Sequence, residues 1–245
     1  MRTPAVWQQV EFGSYGADLP VWTELADETG GPIAELGAGA GRVALHLAGH
    51  GHDVIAIERD LELLRELEDM AEVRGVSVAV VAADLMAPAE MSLTVRPALA
   101  IGPLHVIQVL DAESRPALLA RLRELMAPGG TLALTVVDES TLLSSGAAST
   151  QILPDMRELE GWVYSSEPLW VQVGEQALTV RRLRETVSPD GRMERDIHDE
   201  ILHRVDAEAL EREASDAGFT PRGRRQISSG ESEADSTVVL LEVAA

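Results

Sequence analysis

Between Ile33 and Arg42 the chain reads Ile-Ala-Glu-Leu-Gly-Ala-Gly-Ala-Gly-Arg, and no other segment restricts the fold as tightly. An apolar strand pattern runs into three glycines two residues apart, and an apolar helical pattern follows at once. Gly37, Gly39 and Gly41 lack a Cβ and can take positive φ, so a ligand can approach the backbone itself. A helix opening near Arg42 points its unpaired N–H groups at that ligand. The next strand, 53–58, ends in the carboxylate of Glu58, sixteen positions beyond Arg42, where it can accept hydrogen bonds from a ribose diol. Together these features predict a nucleoside site in a doubly wound α/β sheet.

The dinucleotide fingerprint G-x-G-x-x-G needs a third glycine at the position Arg42 occupies, and Glu35 stands two residues before the first glycine. The form E-x-G-x-G-x-G resembles motif I of the class I S-adenosylmethionine-dependent methyltransferases. Three further segments resemble that family in order. They are Val78–Leu85, a third strand ending in Ala83-Asp84-Leu85; Ala98–His105, the fourth strand and the loop leaving it; and Leu118–Thr135, a helix, the Pro128-Gly129-Gly130 turn and the fifth strand. A final helix over 206–219 closes on Ala217-Gly218-Phe219. The resemblance implies a mostly parallel seven-stranded Rossmann-like sheet and S-adenosylmethionine as cofactor. It places Glu35, Gly37, Ala38, Gly39, Gly41, Arg42, Glu58, Arg59, Asp84, Leu85, Ile101 and Gly102 around that cofactor.

Residues 1–29 read as a lead segment, helical from about Leu19 to Glu28. Residues 30–139 and 206–245 read as the cofactor-binding core, and 140–205 as a β-rich insertion. Thr141–Glu160 has no decided structure. Extended segments follow at 162–165, 169–173, 177–187 and 193–205, and Ser188-Pro189-Asp190-Gly191 is a hairpin turn in which Pro sets φ and Gly supplies positive φ. The insertion resembles the β lid of the amino-sugar N-methyltransferases. Seven of the eight aromatic residues lie in the lead or the insertion. That concentration suggests a substrate wall including Trp22, Trp162, Tyr164 and Trp170, with Arg182 available to a substrate carboxylate.

Methyl transfer needs alignment above all, and a base only where the acceptor carries a proton to lose. His105 leaves the carboxyl end of the fourth strand, where open α/β sheets bind ligands, so it is the first choice of base or orienting group. Tyr15 is the second. His46, His50 and His52 read as surface residues. His198 and His203 point to opposite faces of one strand and do not share a metal, so none is expected.

Composition narrows the chemistry. The 41 acidic against 20 basic residues leave a formal charge of −21, which disfavours nucleic acid and anionic membranes as partners. All 20 basic residues are arginine, so Schiff-base chemistry and a Walker-type lysine are excluded; with no cysteine, thiolate metal sites and disulfides are excluded too. The N-terminus has no secretory apolar core, and no apolar run is long enough to span a bilayer, so a cytoplasmic protein is expected. The expected activity is methyl transfer to N or O of a small molecule, a natural-product intermediate included. Its rivals are a cofactor-binding protein of the same fold with other chemistry or a regulatory role, and a nicotinamide-dependent oxidoreductase. The antiparallel insertion could pair two copies across a dimer axis.

Overall fold

The computed structural model describes residues 4–137, 154–228 and 235–244. The lead forms two helices, α1 (Pro4–Phe12) and α2 (Leu19–Thr29). The core follows as β1 (Ile33–Leu36), α3 (Arg42–Gly49), β2 (Val54–Glu58), α4 (Leu61–Arg74), β3 (Val78–Ala82), β4 (Leu99–Gly102), α5 (Arg115–Leu125) and β5 (Thr131–Val137). The insertion supplies β6 (Asp155–Leu159), β7 (Trp162–Val173), β8 (Ala177–Val187) and β9 (Met193–His203). The chain closes with α6 (Ala207–Asp216), β10 (Phe219–Ile227) and β11 (Ser236–Val243).

Seven strands form one sheet in the order β10-β11-β5-β4-β1-β2-β3. β11 runs antiparallel to both its neighbours, and the pairs from β5 through β3 are parallel. β1 and β4 are buried at every position, as continuous apolar strands of a sheet covered on both faces must be. One face carries Leu118 and Leu122 of α5 and Leu210 and Ala214 of α6. The other carries Trp22 and Leu25 of α2 with Val43 and Leu47 of α3. Winding reverses between β1 and β4, and the crevice beyond the carboxyl ends at that point is where such sheets bind ligands.

The insertion is a separate antiparallel sheet, β6-β7-β8-β9. Its hairpin turn stands where the sequence puts it, with Gly191 at φ +83°. Two expectations change. The segments 162–165 and 169–173 are one strand, β7, with a register shift between Pro168 and Trp170 absorbing the proline. Within the undecided stretch Thr141–Glu160, residues 155–159 form β6, joined to β7 through Glu160 and Gly161, both at positive φ; the part over 141–153 lies outside the described residues. Most of the polar loop between β10 and β11 lies outside them as well. The lead begins with α1, a helix the sequence reading lacks, wedged between the glycine turn and the lid sheet. Among the described residues no helix is long and apolar enough to cross a membrane.

Candidate active site

The turn between β1 and α3 has the geometry its glycines allow. Gly37, Gly39 and Gly41 sit at φ +63°, +56° and +88°. At Gly37 a Cβ would strike Val106 at 2.6 Å, and at Gly39 it would run into the carboxamide of Gln8. Gln8 belongs to α1, and its Oε1 accepts the Ala40 N–H at 2.9 Å. The close approach of another group to this backbone is therefore built into the protein itself.

Two acids flank the turn differently. Glu58 ends β2 and accepts the Gly39 N–H at 3.0 Å on Oε2, and those of Arg59 and Asp60 at 2.8 and 3.0 Å on Oε1. A carboxylate has about four acceptor sites, so it retains capacity for a further donor. Glu35 is 3% exposed, and its Oε2 is buried without a partner among the described residues. Burial pushes its carboxyl up to about 8, against the opposing pull of Arg42 and the Ala44 amide.

Arg42 opens α3 and is gripped by Asp18 through both its terminal nitrogens, each at 2.7 Å. It also donates to the Tyr15 carbonyl at 3.1 Å and lies 5.1 Å from the centre of the Tyr15 ring. Asp18 stands at the residue just before α2. It makes no cap bond, and is buried accepting Arg42 and the Trp22 indole N–H at 2.9 Å.

His105 follows Leu104, which holds φ +55°, a conformation that side chains with a Cβ rarely take. Its Nε2 lies 2.6 Å from Oε1 of Glu200 on lid strand β9. The Glu200 charge and hydrogen bond raise the imidazole against the lowering effect of burial, and the same pair draws Glu200 down to about 2. Phe12 of α1 packs edge-on against the ring at 6.2 Å.

A cavity of about 580 Å³ is lined among others by Gln8, Phe12, Tyr15, Glu35, Gly37 and Gly39 of the turn, and His105; Glu58, Asp84 and Glu200 lie outside its lining. His46, read as a surface residue, also borders it and meets the Thr23 hydroxyl at 2.9 Å. Asp84 lies at the carboxyl end of β3, accepting the Met86 N–H at 2.9 Å with Arg59 3.8 Å away, and Leu85 beside it packs on the core. Ile101 is fully buried among core side chains, and Gly102 is needed to admit Leu134 and Val106; neither lines the cavity.

The proposed aromatic wall is corrected. Trp22 is 0% exposed inside the core, because its spacing with Leu25 and Ala26 is the buried stripe of α2. Tyr164 is buried edge-on against Trp7 of α1 at 5.7 Å. Trp170 lies on the outer face of the lid, stacked with Arg181 at 4.6 Å, and Trp162 pairs with Leu159 beside the β6–β7 turn. Arg182 is already engaged with Asp155 at 2.5 Å, Ser166 at 2.8 Å and Glu11 at 3.5 Å, so it does not stand ready for a substrate. Phe12 and Tyr15 are the aromatic residues that reach the cavity. Gln8, Asp18 and Glu200 were missed. The first and last act on partners 32 and 95 residues away, which no local pattern announces. Among the described residues no cluster of three or more metal-ligating side chains occurs.

The sheet order, the glycine turn and the acid ending β2 are those of a Rossmann-like methyltransferase fold, and residues 33–130 match a family model described as a methyltransferase domain. The solved structures it resembles include an S-adenosylmethionine-dependent methyltransferase from Clostridium acetobutylicum, at 11% identity and TM-score 0.73 over 98% of this chain and 97% of that one. The sugar N-methyltransferase KedS8 from a Streptoalloteichus species matches at 15% identity and TM-score 0.73, over 97% and 92% of the two chains. The amino pentose methyltransferase CalS10 from Micromonospora echinaspora, solved with S-adenosylmethionine bound, matches at 13% and 0.70, over 100% and 98%. At these identities the likeness is one of fold. No curated protein matches the sequence.

Proposed function

We propose that this protein transfers a methyl group from S-adenosylmethionine to the nitrogen of an amine-bearing small molecule of the amino-sugar type. The observation that carries the reading is a single cavity that gathers the glycine turn, the unpartnered Glu35 Oε2 and His105. The residues suit the cofactor: a backbone cradle that a Cβ would obstruct, a buried acid lacking a partner, and Glu58 with acceptor capacity left. Bound there, the cofactor supplies an electrophilic methyl on a sulfonium centre. Glu35 would face its ammonium group, Glu58 its ribose, and Asp84 with the Leu85 amide its adenine; Arg42 and Tyr15 would close the loop side.

His105 would take the proton that the attacking nitrogen loses, with Tyr15 orienting the acceptor. Phe12 and the lid would exclude water. Nitrogen is favoured over oxygen because the sugar N-methyltransferase KedS8 and the amino pentose methyltransferase CalS10 match this chain over nearly its full length. An acidic surface also draws in a cationic amine and repels phosphate backbones. The dinucleotide alternative loses support because Arg42, tied to Asp18, occupies the place of the fingerprint's third glycine. The remaining partner in this reading is a second copy of the chain, paired through β9.

The test is titration calorimetry with S-adenosylhomocysteine and with NADH, then incubation of the protein with methyl-labelled cofactor and a panel of nucleotide-linked amino sugars and their hydroxyl analogues. Micromolar binding of S-adenosylhomocysteine alone and label on the amino sugars are expected. Label confined to the hydroxyl analogues would overturn the choice of nitrogen, and tight binding of NADH alone would overturn the reading.

A further inference from the structure

His105 comes from the core and Glu200 from the lid, yet the two are joined by the short contact at 2.6 Å with both side chains largely enclosed, at 18% and 27% exposure. Nε2 is therefore committed, while Nδ1 makes no hydrogen bond to the described residues. A carboxylate accepts only, so the hydrogen on this bond belongs to Nε2, and the neutral ring has its lone pair on Nδ1.

We propose that Glu200 is a positioning residue: from lid strand β9 it fixes the tautomer and orientation of His105, so that the basic nitrogen is Nδ1 and the base is complete only while the lid packs on the core. This deepens the methyltransferase reading and rests on it. The geometry goes beyond what a simple latch needs. Three elements fix the ring: the turn after β4 with Leu104 at φ +55°, Phe12 of α1 edge-on at 6.2 Å, and Glu200 of β9. The charged groups felt by Glu200 are His105, Arg182 of β8 and His198 of β9; for His105 the partner is Glu200 itself. Arg182 is bonded to Asp155 and Ser166, so it does not displace the imidazole.

When the acceptor nitrogen forms its bond to the methyl carbon, the carbon–sulfur bond breaks with its electron pair left on sulfur, the proton the nitrogen loses would pass to Nδ1, and the imidazolium that results is stabilised by the anion across Nε2. The proton then leaves to solvent when the site opens, and no other co-reactant is needed.

The test uses the full-length chain. Long-range proton–nitrogen correlation spectra of the imidazoles would be titrated in wild type and Glu200→Gln, with His105 assigned by its loss in His105→Asn. In wild type the neutral ring should be the Nε2–H tautomer and should titrate above an ordinary imidazole. In Glu200→Gln burial acts unopposed, so the titration should move down by about one pH unit or more. Binding of S-adenosylhomocysteine should stay within about twofold of wild type, showing that the fold and cofactor site are intact. With an amine acceptor that wild type methylates, kcat should fall about tenfold or more and the acid limb of its pH profile should move down with the ring. An Nδ1–H ring in wild type, or an unchanged His105 titration in Glu200→Gln, would overturn the proposal. Failure of S-adenosylhomocysteine to bind wild type would instead sink the methyltransferase reading, whatever the spectra show.

Discussion

A carboxyl taken out of water stays protonated unless something positive compensates it. The cation that pulls against burial at Glu35 is Arg42, but Arg42 is already held by Asp18 through both terminal nitrogens, so burial prevails and pushes the Glu35 carboxyl up to about 8. Its ordinary value is 4.5, so the folded state holds this proton more tightly than the unfolded chain does. The associated stability is fully present below the ordinary value and is lost as pH rises through about 8. Between about pH 5 and pH 8, wild type should therefore lose a few kcal/mol relative to Glu35→Gln in denaturant titrations. Parallel curves for the two proteins would refute this. The same proton should report cofactor binding. Bringing an ammonium to Glu35 favours ionisation, so S-adenosylhomocysteine should release up to about one proton at neutral pH, seen as a buffer-dependent binding enthalpy in wild type and absent in Glu35→Gln. Gly39→Val acts by sterics, since a side chain there collides with Gln8. It should weaken S-adenosylhomocysteine binding by about a hundredfold or more and lower stability by about 1–3 kcal/mol, the cost of valine at positive φ, without unfolding the core.

α1 is the element on which the site closes, and its contacts are polar and distant. Gln8 caps the turn, while Glu11, 5% exposed, binds Arg184 through both oxygens at 2.8 Å and the Ser166 hydroxyl at 2.6 Å. Glu11→Ala would take from Arg184 the carboxylate that holds it under the helix, while Arg182 keeps Asp155 and Ser166, and a buried ion pair broken on one side costs about 3 kcal/mol. Chemical denaturation should show that loss, and limited proteolysis should show cleavage near α1 before the core. These contacts explain which elements could be read ahead of the structure. β1, β2, β4 and β5 announce themselves as short apolar runs punctuated by glycines. α5 is framed by Arg115-Pro116 and Pro128-Gly129-Gly130, and the β8–β9 hairpin by its Pro-Asp-Gly turn. The glycine turn was legible because glycine at positive φ is a local requirement. α1 was not, because only Ala5 and Val10 of it enter the core and its anchors lie up to 173 residues away. β6 was hidden for the same reason: Asp-Met-Arg-Glu-Leu has little strand preference and is extended only because β7 pairs with it. The aromatic residues misled because their enrichment in the lead was taken for a pocket wall, whereas Trp22 follows the helical period of the core.

At the scale of the whole molecule, the lid leaves an edge that other sheets of this length blunt. Among the described residues β9 pairs only with β8, over eleven residues without proline or register shift. The ladder bonds Ser188 N–H to Arg192 and Arg204 N–H to Gln176 flank that pairing, so even-numbered residues of β9 direct their amides to β8 and odd-numbered ones direct theirs outward. Met193, Ile197 and Ile201, at 55%, 49% and 52% exposure, lie along the outer face of this same edge. A second copy running antiparallel about a two-fold axis at Ile197 would set Ile197 against itself, Met193 against Ile201, Arg195 against Asp199 and Asp196 against His198. Glu194 would face Glu200, whose charge His105 already offsets. Shifting the axis to His198 sets Asp196 against Glu200, and shifting it to Asp196 sets that acid against itself; a shift by half a step turns the two apolar faces to opposite sides. Each chain carries −21, so mutual repulsion should make the pairing weaker at low salt and stronger as ions screen it. Light scattering should then give twice the 26.3 kDa chain mass at about 0.15 M salt and less at low ionic strength. Because the chain has no cysteine, Ile197→Cys provides a single reporter, and oxidation should link two copies in high yield, whereas Val187→Cys on β8 should not. Ile197→Arg sets two cations together on the axis and should leave monomers that still bind S-adenosylhomocysteine. A wild-type monomer at tens of micromolar across the salt range, with no cross-link in Ile197→Cys, would remove β9 as the dimer edge.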